Sequence, residues 1–170
     1  MNMTDRYRKW FEYEKDSYEK VFASFETVPK QTRLSEEFRK AVMLMAHLVA
    51  ARNLWLFRLG MRRNAPTLEE FFPENLSIKD VKLRLDEMQK AWTLYLSTLD
   101  EKEIERVFEY EALDGGRFRN SVEDILTQLY GHSLYHRGQI ASLIRAIGGE
   151  PAETDYVFWT REKIKAKTQI

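Results

Sequence analysis

Apolar side chains recur at intervals of three and four in four separate stretches, which commits most of the 170 residues to amphipathic helices. The first stretch runs from about Asp5 to Thr27, with Tyr7, Phe11, Tyr18, Phe22 and Phe25 at helical spacing and Trp10 and Val21 beside them. VPKQTRLS breaks it. Ser35, followed by Glu36 and Glu37, then offers a hydroxyl N-cap and first-turn acids, which satisfy orphan amides and suit the helix dipole. The run from there to about Leu59 is apolar on most sides, as a central helix requires. RRNAPTLEEFFPEN, with both of its prolines, reads as a connecting loop. Ser77 and Asp80 open a third helix carrying Val81, Leu85, Met88, Trp92, Tyr95 and Leu99. In RVFEYEALDGGRFRN, Asp114-Gly115-Gly116 supplies the positive φ angles of a tight turn between β-prone residues and predicts a short β-hairpin or an extended excursion. Asn120 or Ser121, with Asp124, opens the last long helix, and Gly148-Gly149 followed by Pro151 stops it. In the tail, Tyr156, Phe158 and Trp159 are expected to pack before the sequence turns polar.

Four helices of this length predict an all-α fold, a four-helix bundle with a hairpin before the last long helix. At 44% hydrophobic and 13% aromatic, residues 1–170 can bury one good-sized core, so a single domain is expected. Lys plus Arg equals Asp plus Glu at 27 each, which argues against a nucleic-acid or polybasic membrane surface. Cysteine is absent, and with it any disulfide framework, thiolate nucleophile or Cys-based zinc site. No uninterrupted apolar run approaches the ~18 residues of a membrane span, and a cytoplasmic location is expected.

The last helix poses the chemical question. From Ile125 through Leu129, His132, His136, Ile140 and Leu143 to Ile147 the steps are three or four, which puts two of the three histidines on the core stripe. His47 shares a face of the second helix with Met43, Ala50 and Leu54, and small Ala50 leaves space beside the imidazole. A buried imidazole needs a hydrogen-bond partner or a metal, because an unsatisfied polar group in a core costs about 1–3 kcal/mol. Histidines one turn apart can converge on one ion, and a third from a facing helix completes a triangular set. Histidines satisfied within the core are the competing explanation. Other metal chemistries lack their residues: no Glu-x-x-His pair of a diiron bundle precedes any histidine, and Ser133-Leu134-Tyr135 leaves no acid for a zinc-protease motif.

His47 in an apolar helix, His132-Ser-Leu-Tyr-His136-Arg-Gly-Gln-Ile140, Leu-Ile-Arg-Ala-Ile-Gly-Gly, and a proline followed by Asp155 together resemble the DinB-like (DinB/YfiT) metal-binding bundles, over nearly the whole chain. The resemblance implies an up-down-down-up arrangement and a homodimer. It also implies one divalent ion, zinc or nickel, on histidines matching His47, His132 and His136. Relatives transfer or isomerise groups with low-molecular-weight thiols such as bacillithiol, mycothiol or glutathione, so the implied function is a metal-dependent thiol transferase acting on a small molecule. A hydrolase using metal-activated water and a non-catalytic, stress-associated metal-binding protein are the alternatives.

Further residues are candidates for the pocket or its support. Glu14 lies on the aromatic stripe of the first helix and either serves as a base or pairs with an arginine. Arg137 can fork onto a carboxylate, or pair with an acid at an interface. Gln139 can donate a supporting hydrogen bond behind the ligands or cap a neighbouring loop, Tyr135 can line the pocket or simply pack, and Asp155 can accept a ligand histidine's other ring N–H.

Overall fold

Hydroxyl caps set the starts of three long helices: Ser35 accepts from the Phe38 amide, Ser77 from Asp80 and Ser121 from Asp124. A computed structural model describes residues 2–74 and 76–163. Its long helices are α1 (Met3–Thr27), α2 (Glu36–Arg58), α4 (Ile78–Ser97) and α6 (Val122–Ala146), with the short helices α3 (Leu68–Phe71), α5 (Glu101–Glu105) and α7 (Tyr156–Thr160) between and after them. Strands β1 (Val107–Glu111) and β2 (Arg117–Ser121) form the expected antiparallel hairpin, with Val107 opposite Ser121 and Glu111 opposite Arg117. Gly115, at φ +84°, takes the left-handed position in its turn. Among the described residues the fold is mostly helical with this one small sheet.

α2 packs on α4 and α6, and α1 packs on the same two helices. Tyr18, Phe25, Met45, Leu48, Leu85, Trp92 and Ile140 are fully buried between them. The Tyr7 hydroxyl meets Thr127 at 2.8 Å, Tyr18 meets Ser133 at 3.1 Å, and the Glu150 amide donates to Thr27 at 2.7 Å, so α1 and α6 run side by side in the same sense. α4 runs against α1: Arg8 donates to the carbonyls of Leu96 and Leu99, while Lys82 pairs with Glu19.

The proline-flanked segment expected to be a loop contains a helical turn. Thr67 and Glu70 form a reciprocal capping box around α3, and Phe71 sinks into a cluster with Ala50, Ala51 and Leu54. The space left by Ala50 is therefore taken by a phenyl ring. A second departure concerns α6, whose fully buried stripe passes through Leu129, Ser133, Arg137, Ile140 and Ile144. His132 and His136 lie half-buried on the border of that stripe, not along its centre. The helix is turned because Ser133 and Arg137 face α1, where Tyr18 meets the Ser133 hydroxyl and the Tyr13 hydroxyl accepts from one Arg137 nitrogen.

Candidate metal centre

Two helices build the centre. α6 presents His132 and His136 from consecutive turns, and α2 brings His47 across the seam between them. His132 Nε2 lies 3.3 Å from His47 Nε2 and 3.0 Å from His136 Nε2. Among the described residues these three form a group whose ligand atoms all fall within 4.8 Å of one another. Two nitrogens each about 2.05 Å from one ion lie about 2.9 Å apart at a right angle and about 3.3 Å apart at a tetrahedral angle, so the observed separations suit a shared cation. Hydrogen bonding alone accounts for them poorly. A ring nitrogen carries either a proton or a lone pair, so His132 Nε2 cannot accept from one neighbour while donating to the other.

The surroundings favour the neutral form of His132 and His47. Burial pulls His132 down to about 4, with His136, His47 and Arg52 adding to the shift. His47 is lowered chiefly by burial and then by His136, while the nearby Phe71 backbone opposes the shift. Neutral imidazole is the form that binds metal. On the far side of His136, Nδ1 lies 2.7 Å from the Gln139 side-chain oxygen, which can only accept; the proton belongs on Nδ1 and the Nε2 lone pair faces the other two histidines. His47 Nδ1 has no such support and, among the described residues, is buried without a hydrogen-bond partner. Its ring is held by packing instead, with Phe71 edge-on at 5.7 Å and Phe72 stacked at 5.4 Å. The donor set, three neutral nitrogens without carboxylate or thiolate, fits a borderline divalent ion such as zinc or nickel.

Of the supporting candidates, Gln139 touches the triad directly, and Tyr135, 64% exposed, packs edge-on to His136 at 5.1 Å on the outer side. The others lie elsewhere. Glu14 is buried in an ion pair: Arg52 donates Nε to its Oε1 at 3.1 Å and a second nitrogen to Oε2, and the Tyr18 hydroxyl donates to Oε1 at 2.5 Å. Burial and the neighbouring Glu14 raise the Tyr18 pKa. Arg137 is buried away from the triad, donating to the Tyr13 hydroxyl at 2.9 Å with its guanidinium over the Tyr13 ring. Asp155 is exposed at the start of α7, and its carbonyl accepts from Phe158 and Trp159; no hydrogen bond joins it to a histidine. Tyr156 and Trp159 pack on Tyr13, whose hydroxyl donates to the Thr154 carbonyl, while Phe158 remains 42% exposed.

Arg52, Phe71 and Phe72 are neighbours of the site that the sequence reading missed. Arg52 had a signal, being a charge inside an otherwise all-round apolar helix; the phenylalanines, in a short segment between prolines, had none.

No helix among the described residues is long and apolar enough to cross a membrane. The family model described as the DinB family matches residues 1–167. The chain is 23% identical to Protein DinB of Bacillus subtilis (strain 168) over 160 residues, covering 91% of this chain and 93% of that relative. No solved structure gives a significant match. With the family model spanning nearly its whole length, the chain belongs to the DinB family.

Proposed function

We propose that this chain is a metal-dependent enzyme in which His47, His132 and His136 hold one divalent cation, zinc or nickel, and a low-molecular-weight thiol takes part in transferring a group on a small organic substrate. The observation that carries this reading is the convergence of three Nε2 atoms, at 3.0 and 3.3 Å, in a setting that favours the neutral form of His47 and His132. An ion held by three neutral ligands keeps its full charge and supplies Lewis acidity toward a thiolate or a water. The chain's own part is positional: Gln139 fixes the tautomer of His136, and Phe71 and Phe72 cover one side of His47.

One observation favours the transferase over a hydrolase. Glu14, the acid considered as a base, is committed to Arg52 and Tyr18. The position of the triad on the border of the core, beside exposed Tyr135 and Phe72, favours a reactive ion over a purely structural one. An up-down-down-up bundle belongs to the same reading, supported by the shared sense of α1 and α6 and the opposed sense of α1 and α4. A cytoplasmic homodimer completes it.

Elemental analysis of untagged protein beside His136→Ala, with thermal melts of both, tests the proposal. One equivalent of metal in the wild type, lost in the variant with only a modest fall in melting temperature, supports a reactive site and leads to assays of thiol consumption with small electrophiles. A wild type without stoichiometric metal returns the three histidines to core packing. Metal loss together with collapse of the fold assigns the ion a structural role.

A further inference from the structure

A groove of about 450 Å³ lies between α2 and the segment leading from Phe72 into α4. This is within the roughly 300–1,000 Å³ of small-molecule sites. Phe38, Val42 and Met43 of α2 line one wall, and Pro73, Leu76 and Ile78 the other. Met43 stands one turn before His47, and Pro73 follows Phe72, whose ring stacks on His47 at 5.4 Å. The inner end of the groove thus approaches the triad, with Phe72, 57% exposed, standing between.

Charge marks the lining as well, through Arg33, Arg39 and Glu74. Arg33 is committed to the carbonyls of Val28 and Glu26. Arg39 is exposed, gives one nitrogen to the Leu34 carbonyl at 2.7 Å, and makes no other hydrogen bond among the described residues. From Arg39 to His47 is eight positions of helix, or about 12 Å. An apolar trench along the first half of that span, from Arg39 to Met43, with a guanidinium having donors to spare at its mouth, is complementary to an organic acid.

We propose that this groove binds the apolar body of an organic anion whose carboxylate or sulfonate rests on Arg39, and that the far end of the ligand reaches the triad past Phe72. Only the last clause rests on the metal reading of the triad; occupancy of the groove does not. The charge sets the orientation, and the apolar walls supply most of the affinity.

The test is fluorescence titration of anilinonaphthalene sulfonate, beside its neutral analogue N-phenylnaphthylamine, into the full-length wild type, Arg39→Ala, Ile78→Glu and His136→Ala, with metal content measured in each. The wild type is expected to bind the sulfonate saturably at one site. Arg39→Ala should weaken the sulfonate about threefold to fivefold, the scale of an exposed ion pair, and leave the neutral dye unchanged. Ile78→Glu puts a charge against the apolar wall and should weaken both dyes by about tenfold or more. Position 78 is half-buried in the first turn of α4, where an acid suits the helix dipole, so the variant should fold. Metal content should match the wild type in both groove variants, and His136→Ala should keep its dye affinity. A wild type that does not bind saturably, or an Arg39→Ala protein that binds the sulfonate as tightly as the wild type, overturns the proposal. The expected dye shifts in a protein that holds no metal support the groove and overturn only the metal reading of the triad.

Discussion

Glu14 and Arg52, 38 positions apart in the chain, form a two-bond ion pair inside the bundle, with 2% and 7% of their side chains exposed. Tyr18 adds a third bond to the carboxylate, and the Trp92 indole N–H donates to the Arg52 carbonyl at 3.2 Å, so one polar knot ties α1, α2 and α4. Removing one partner leaves the other charged and dry. Glu14→Gln and Arg52→Met should each lower the unfolding free energy by about 3–5 kcal/mol, with the double variant recovering part of the loss. Urea unfolding of the four proteins checks this; additive losses would mean that the two groups do not couple.

Gln139 should act on metal affinity rather than on the fold. Its oxygen holds the His136 proton on Nδ1, so Gln139→Ala is expected to weaken metal binding by about 10–100-fold while Gln139→Glu, still an acceptor, retains it. Competition with a chromophoric chelator measures the affinity, and thermal melts of the metal-free proteins should place all three close together.

Acid should weaken the metal-free fold through His132. Its folded pKa, about 4, lies below the ordinary value of 6.5, so the unfolded chain takes up the proton first as pH falls. Stability from this group is therefore complete above about pH 6.5, declines from there to about pH 4, and levels off below. The difference between wild type and His132→Gln in urea unfolding across that range isolates the histidine from the carboxylates; a flat difference curve would contradict the shift.

Two adjacent phenylalanines should behave in opposite ways. Phe71 is 5% exposed against Ala50, Ala51 and Leu54, whereas Phe72 is 57% exposed on the face of His47. Phe71→Ala should cost about 3 kcal/mol by cavity formation and Phe72→Ala about 0.5 kcal/mol, as read from denaturant midpoints.

The long helices were legible because their signals are local. Ser35, Ser77 and Ser121 each make the capping bond that the sequence suggests, and Gly115 turns the hairpin. The gathering of three histidines was legible for the same reason, since one helical face and one spacing of four carry it. Two things were not. α3 has four residues, too few for a periodic pattern, and it forms where Phe71 finds an alanine-lined surface that belongs to another helix. The rotation of α6 depends on Tyr13 and Tyr18, more than 100 positions away, which draw Arg137 and Ser133 inward and leave the histidines at the border.

His47 and His132 are separated by 85 positions, and their ring nitrogens meet across the seam of α2 and α6. A cation gripping both is a reversible staple that closes a long loop, and the entropy such a closure removes from the unfolded ensemble grows with the length of chain enclosed. The same imidazoles that would activate a ligand therefore fasten the second half of the chain to the first. If the triad holds the proposed ion, metal supply would govern how long the folded molecule survives as well as how fast it works.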